Sequence, residues 1–275
     1  MTVPPRAAGP RRAPARSPEP LSGGPPVAGV DGVADHWVAA VVAGDAVAWS
    51  VGSARDVLTF TTGAGCAVVA VDIPIGLARH GRRAAEAEAR QLLGPGRSSI
   101  FPTPPQPAFD VARRLGTGRG ARAVAQAAAR EAGGHGISTQ TWGLAAKILE
   151  VEDALRDQVT AVAGKVVETH PETALRVLAG TTAPPWPRKR SAAGAARRLG
   201  ALAAAFGVGV GTALSWLDDA LLATVPVDDA VDALVAARTA ARVASGTAAV
   251  LGAGQADDAV WSDGTPAPGR AVIIV

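Results

Sequence analysis

Short apolar runs crowd the first third of the chain, and longer helical periods follow. Val27-Ala28-Gly29-Val30-Asp31-Gly32, Trp37 to Val42 and Ala46 to Val51 read as three strands. A Gly44-Asp45 turn joins the second to the third, and connections this short make the three antiparallel neighbours. A short helix over Ala54 to Thr61 then crosses to a fourth strand, Ala67 to Asp72, which can lie parallel to the first. This strand runs through Val68-Val69-Ala70-Val71 into an acid, with Pro74 two positions later. Proline cannot donate to a sheet ladder, so the strand stops near Asp72, and Gly76 lets the chain turn.

A helical region follows. Arg82 to Leu93 is amphipathic and is stopped by Gly94-Pro95-Gly96. The stretch Arg97-Ser98-Ser99-Ile100-Phe101-Pro102-Thr103-Pro104-Pro105 is expected to be non-helical, because its prolines remove donors and restrict the residues before them. Phe109 to Ala132 is helical with a break at Gly116 to Gly120, and Ser138 caps a helix reaching about Val159. Lys165 to His170 is a fifth strand, with Pro171 opening the next helix. Helices then cover about Ala192 to Phe206, Thr212 to Ala223 and Val227 to Ser245, and Ala271 to Val275 is a last apolar strand or a packed tail. The whole is an α/β pattern without internal repeats.

Composition narrows the picture. At 275 residues, 48% hydrophobic and 19% charged, the chain can bury one sizeable core. Residues 1 to 26 are rich in Pro, Arg, Ala and Gly without apolar period and are expected to be a disordered basic tail, leaving 27 to 275 as one domain. The single cysteine, Cys66, excludes an internal disulfide and fits a reducing cytoplasm. No apolar run is long enough to span a membrane, and the arginine-bearing N-terminus lacks the apolar core of a secretory signal. A pI near 9.7 suggests a nucleic-acid partner. Yet the tail holds Arg6, Arg11, Arg12 and Arg16 against Glu19, which accounts for the whole chain's net charge of +3. The folded part is neutral overall, so any phosphate preference rests on local patches.

Acids stand at suggestive places. Asp31 ends the first strand, Asp72 ends the fourth, and Glu168 and Glu172 flank the end of the fifth. Asp229 and Asp232 share one face of the Ala- and Val-rich helix from Val227. Each has an ordinary explanation: Asp31-Gly32 is a turn dipeptide, and Asp228, Asp229 and Glu172 suit helix first turns. Asp232 lies beyond the first turn on an apolar helix, where a lone carboxylate is costly to bury. Neighbouring acids repel unless a cation sits between them, so strand-end and helix-interior acids together point to a hard divalent cation with oxygen ligands, Mg2+ or Mn2+.

This order of strands and acids resembles the RNase H-like fold. More specifically, Gly29-Val30-Asp31-Gly32, Val71-Asp72-Ile73-Pro74-Ile75-Gly76-Leu77 and Arg97 to Pro105 resemble a prokaryotic family of unknown function, DUF429, described as predicted RNase H-like nucleases. So do Gln140-Thr141-Trp142 with Lys147-Ile148 and Glu150, Glu168-Thr169-His170-Pro171-Glu172, and Asp229-Ala230-Val231-Asp232-Ala233-Leu234. The resemblance covers about residues 27 to 250. It implies a mixed five-stranded sheet, three antiparallel strands then parallel ones, flanked by helices, with a helical insertion at about 78 to 163. It further implies two-metal hydrolysis of a nucleic-acid phosphodiester, with ions about 3.5–4 Å apart. Asp31 would bridge both ions, Asp72 and Asp232 would hold one each, and Asp229, Glu168 or Glu172 would complete the set. One departure is Ala34-Asp35-His36 before Trp37, where the resemblance leads one to expect a glycine-rich approach; it bears on the shape of the first hairpin.

Further residues are candidates for substrate contact. Arg97, Ser98 and Ser99 offer anion donors, or form a rigid surface loop. Gln140 and Lys147 share a helix face with Leu144 between them, and reach a phosphate or form a solvated stripe. His170 is a proton shuttle or, more often for a His beside Pro, structural. Arg188, Lys189, Arg190, Arg197 and Arg198 form a basic cluster that suits a nucleic-acid backbone or a solvated face. Two further functions stay open. One is a phosphohydrolase or phosphotransferase acting on a small nucleotide-like ligand, disfavoured by the lack of a glycine-rich phosphate loop. The other is a non-catalytic metal-binding scaffold.

Overall fold

The computed structural model describes residues 24–157, 166–180, 186–267 and 269–275. Most of the expected tail, Val159 and Lys165 lie outside the described residues. The sheet is built from β1 (Val27–Val33), β2 (His36–Ala43), β3 (Ala46–Gly52), β4 (Val69–Val71) and β5 (Val166–Glu168). Its strand order is β3-β2-β1-β4-β5. β1 pairs antiparallel with β2 and β2 with β3, while β1–β4 and β4–β5 are parallel. This is the mixed α/β sheet expected from the RNase H-like resemblance. The fourth strand is shorter than Ala67 to Asp72, but the Asp72 amide still donates to the Val30 carbonyl at 2.9 Å, so Asp72 keeps strand register past its end.

Side-chain alternation sorts the strands between two cores. Ala28 and Val30 of β1, Trp37, Ala39 and Val41 of β2, and Val69 and Val71 of β4 face one core. There they meet α1 (Ala54–Gly63), α3 (Gln106–Leu115), α4 (Arg119–Glu131), α5 (Thr139–Gly143) and α6 (Ala145–Arg156). Val27 and Val33, Val38, Ala40 and Val42, and Val68 and Ala70 face the other core. That one is closed by α7 (Pro171–Ala179), α8 (Ala192–Phe206), α9 (Val210–Ser215) and α10 (Val227–Ala244). Between β4 and β5 the chain also forms α2 (Ala84–Leu93). This helix packs through Ala85, Ala89 and Leu93 on the C-terminal β7 (Ile273–Ile274). The C-terminal run is thus a strand, antiparallel to a two-residue β6 (Val250–Leu251) that is too short to show a period.

Helix α10 lies with its backbone directly on β1. A Cβ built on Gly29 would stand 2.0 Å from the Ala233 carbonyl oxygen and 2.1 Å from the Ala237 amide nitrogen. Only glycine, facing Ala233, Ala236 and Ala237, allows this approach. The helix start at α1 is equally local. Ser53 and Asp56 cap it reciprocally, and the Ala54 amide donates to Glu150 Oε1 at 2.8 Å. Glu150 Oε2 also accepts the Trp37 indole N–H at 2.9 Å, so this residue is a brace between sheet and helices.

Several expectations are corrected. Gly94–Ser99 forms a 3-10 helix, so Arg97, Ser98 and Ser99 are helical after all. Pro95 sits at its first positions, where a missing N–H costs nothing, and the restrictive prolines begin only at Pro102. The helix from Ser138 is interrupted at Leu144 and ends at Arg156. Thr212 to Ala223 is not one helix but α9 followed by a 3-10 turn, Ala220–Thr224, whose Asp219 cap accepts from the Leu221 amide. The first hairpin keeps a two-residue turn despite lacking glycine: Val33 pairs with His36, and Ala34 takes φ 40.

Gly29→Ala should cost about 3 kcal/mol or more, because the backbone of α10 must move; a urea unfolding midpoint unchanged from the parent would contradict the close packing. Ala34→Gly should stabilise by about 0.5–1 kcal/mol, since relief of a left-handed alanine outweighs the added chain entropy. Calorimetry should show a rise of about 1–4 °C.

Candidate functional site

The alternation that builds the cores also selects the acids. Asp31 follows Val27 and Gly29 on the α10 side of β1, and Asp72 follows Val68 and Ala70 on the same side of β4. Asp232 comes down on them from α10, one residue before the Ala233 that seats on Gly29. All three line one cleft of about 450 Å3 at the carboxyl ends of β1, β4 and β5. Asp31 and Asp232 are 7% and 3% exposed, so their charges are largely removed from water.

Electrostatics in the cleft are strained. Burial first, then Asp72, Asp232 and Asp229, push the Asp31 carboxyl well above the usual carboxylate range, against one hydrogen bond from the Gly32 amide at 2.7 Å. Burial and Asp232 do the same to Asp72, with Lys189 opposing. Asp232 is pushed up to about 6 by burial, although the Lys189 ammonium lies 2.7 Å from its Oδ2. Its Oδ1 is buried without a hydrogen-bond partner among the described residues. Lys189 also stands 3.7 Å from Asp228, which Arg190 holds at 3.1 Å.

The remaining acids have other partners. Glu168 belongs to the opposite face of β5, in phase with Val166. There the fully buried Arg83 takes it two-pronged, and its Oε2 also accepts the Ile75 amide at 2.7 Å. Burial still pushes it up to about 7. Glu172 is held by Arg198 at 2.8 and 3.0 Å. Asp229 is half-buried at the helix start and acts on Asp31 through its charge. Arg83 is the largest omission of the sequence reading. Its place at the start of a helix carries no sign of this role; the only signal is that a buried Glu168 demands a cation.

The other candidates divide. Lys147 lines the cleft at Gly32, anchored by the His36 carbonyl at 2.7 Å and stacked 4.4 Å over the Trp37 ring. Gln140 is exposed and lies in α5, on the far side of the Leu144 break, so the two do not share one face of a continuous helix. Ser99 lines the cleft; Arg97 and Ser98 are exposed and do not. His170 caps α7, with Nδ1 2.8 Å from Thr173 Oγ1 and the Thr173 amide donating to it. It also hydrogen-bonds the Ser99 backbone, and burial pushes it down to about 4, so it is a neutral latch between α7 and the 3-10 turn. The opposite wall is Ile100-Phe101. Its loop is held where the Thr103 amide, standing between two prolines, donates to both oxygens of Glu86 at 3.1 and 3.0 Å.

A family model described as "Protein of unknown function (DUF429)" matches residues 29–256. The chain belongs to the DUF429 family. No curated protein and no solved structure matches it. The family motifs thereby gain physical content in this DUF429 chain: Gly29 admits α10, Glu150 braces Trp37, and Asp31, Asp72 and Asp232 meet in the cleft.

Oxygen donors from three elements, mutually repelling, with one buried oxygen left unpaired, fit a hard divalent cation in kind. In position they are not a preformed cage. Among the described residues no three acids, histidines or cysteines converge as a closed ligand group, and the Lys189 ammonium supplies the nearest positive charge.

This charge balance predicts a pH effect. Asp232 at about 6 and Glu168 at about 7 take protons in the folded chain that the unfolded chain takes only at about 4, and together they outweigh His170, which burial keeps neutral down to about 4, so the folded state binds more protons than the unfolded one as pH falls. In EDTA the melting temperature should therefore rise by roughly a few degrees between pH 8 and pH 5.5. Added Mg2+ or Mn2+ should raise it more at pH 8 than at pH 5.5. A melting temperature that falls with acidification over this range, or is indifferent to both metals, would contradict the uncompensated cluster.

Proposed function

We propose that this DUF429 protein hydrolyses nucleic-acid phosphodiester bonds with Mg2+ or Mn2+ held by Asp31, Asp72 and Asp232. The observation that supports this most is the pairing pattern in the cleft. Glu168, Glu172 and Asp228 each have an arginine, whereas among the described residues no ion pair reaches Asp31 or Asp72. A bound divalent cation would supply Lewis-acid charge at the phosphate and make a water nucleophilic at neutral pH. The chain's own residues set the stage. The β1 and β4 ends fix two carboxylates on rigid strands, α10 brings the third, and Lys147 offers a cation at the Gly32 lip for a phosphate oxygen. Ile100, Phe101 and Pro74 wall the cleft and restrict water.

A small nucleotide-like substrate is the second reading, favoured by the cleft volume of about 450 Å3, which suits a small molecule. Pure protein incubated with single-stranded, duplex, hybrid and branched DNA and RNA, with EDTA as control, separates the two. The expected result is cleavage with Mg2+ or Mn2+, lowered more than about 100-fold in Asp72→Asn and Asp31→Asn. Both variants should melt no lower than the parent in EDTA, since each removes a repelling charge. Turnover of nucleoside phosphates without polynucleotide cleavage would establish the second reading. Metal-raised melting without any turnover would leave a scaffold.

A further inference from the structure

A second cavity, of about 350 Å3, opens beside the acidic cleft and shares Ser99, Glu172 and Lys189 with it. Its character is opposite. Six carboxyl groups and three cations line the first cleft, whereas Arg176, Arg188, Lys189 and Arg198 line the second against Glu172 alone. Arg198 is already bound to Glu172, and Lys189 to Asp232. Arg188 is exposed, and among the described residues no carboxylate pairs with it.

The placement of these cations is a local folding device. Ser191 caps α8, accepting from the Gly194 amide at 3.0 Å and donating to the Arg188 carbonyl at 2.7 Å. A Cβ on Gly194 would lie 2.0 Å from that same carbonyl oxygen, so the turn closes only over glycine. The closed turn sends three consecutive side chains to three destinations. Lys189 reaches Asp232, Arg190 reaches Asp228, and Arg188 lines the second cavity. Trp186 forms part of the same wall, with the guanidinium carbons of Arg197 and Arg198 at 5.1 and 5.7 Å from its ring centre.

The geometry points to the basic cavity as the binding site for the phosphate backbone of a single-stranded polynucleotide whose neighbouring nucleotide occupies the acidic cleft. This rests on the function proposed above and adds its substrate class. Two adjoining cavities of opposite charge suit a chain that is anionic at every link. The basic cavity holds one phosphate, while the acids stand at the next with their cation. The acids lie on the floor of a walled cleft, 3–7% exposed in the case of Asp232 and Asp31, so a strand must enter unpaired to reach them. Phe101 is 40% exposed on that wall and offers a face on which an unstacked base can lie.

The test uses full-length protein in EDTA, where no metal-dependent cleavage occurs, and fluorescence anisotropy of fluorescein-labelled 12-mers of dT and of U, single-stranded and as blunt duplexes. The expected result is tighter binding of at least one single strand than of either duplex. Arg188→Glu should weaken it at least about tenfold, and Arg188→Ala should flatten the slope of log K against log salt by about 0.7. Arg188 is exposed, so both variants should melt like the parent. The inference is overturned if neither single strand binds, if a duplex binds as tightly, if dTMP or UMP competes as well as a 12-mer, or if Arg188→Glu binds like the parent. Cleavage of polynucleotides without any Arg188 dependence would overturn this site and leave the proposed hydrolysis standing. Arg188-dependent strand binding without cleavage under any metal would do the reverse.

Discussion

The contact on which the site depends contains no functional side chain: the backbone of α10 resting on Gly29 of β1. A helix that packs on a strand through side chains stands well off it; one that packs through its backbone, on a glycine, comes closer. Because Ala233 and Ala237 fill the interface, the residue before them, Asp232, is carried down to the strand ends. A carboxylate in the interior of an apolar helix costs folding energy. It is tolerated here because helix, strand and acid are one packing unit, and the many buried alanines and valines of α10 hold that unit in place.

Around this unit the acids are sorted by whether a cation is built in for them. Arg83 holds Glu168 and Arg198 holds Glu172 through both carboxylate oxygens, and Arg190 reaches one oxygen of Asp228. In the first two the arginine is itself buried, so removing its acid would strand a cation in a low-dielectric site. Asp31 and Asp72 receive no such partner, and Asp232 receives half of one. The difference separates acids that hold the fold from acids whose charge the fold leaves unmatched. Position on the sheet agrees with it. Asp31 and Asp72 face α10, which itself carries Asp232, while Glu168 faces α2, one residue out of phase.

Much of this was legible in the sequence, and what was not has particular causes. The first three strands and the parallel fourth followed from short apolar runs and the connections between them, and Asp31 and Asp72 at strand ends with Asp232 inside an apolar helix stood out because turn and cap chemistry explains them singly better than jointly. The face of Glu168 follows only from the β4–β5 register, because Val166 and Val167 before it are both apolar and show no alternation. Arg83 and Lys189 were harder. A long cation in a polar stretch reads as solvated until the fold brings a carboxylate to it from 85 or 43 positions away. The interruptions at Leu144 and after Ser215 are marked only by single residues, Gly143 before the first and the capping Asp219 after the second, inside otherwise helical composition. β6 is two residues long and exists only because the C-terminus lies beside it.

The turn from Pro187 to Ser191 ties these threads together. One glycine, Gly194, lets the chain fold back tightly enough that adjacent basic residues diverge rather than share a face. Spread along a helix, the same residues would have formed the solvated stripe that such runs usually are. Fixed by a cap instead, one of them enters the acid cluster and bonds a single oxygen of Asp232, leaving Oδ1 buried and bare. One ammonium near three carboxyls leaves the cluster short of positive charge. Protons meet that deficit at low pH, and at neutral pH it is the physical reason the cleft should draw a harder and more highly charged cation than lysine.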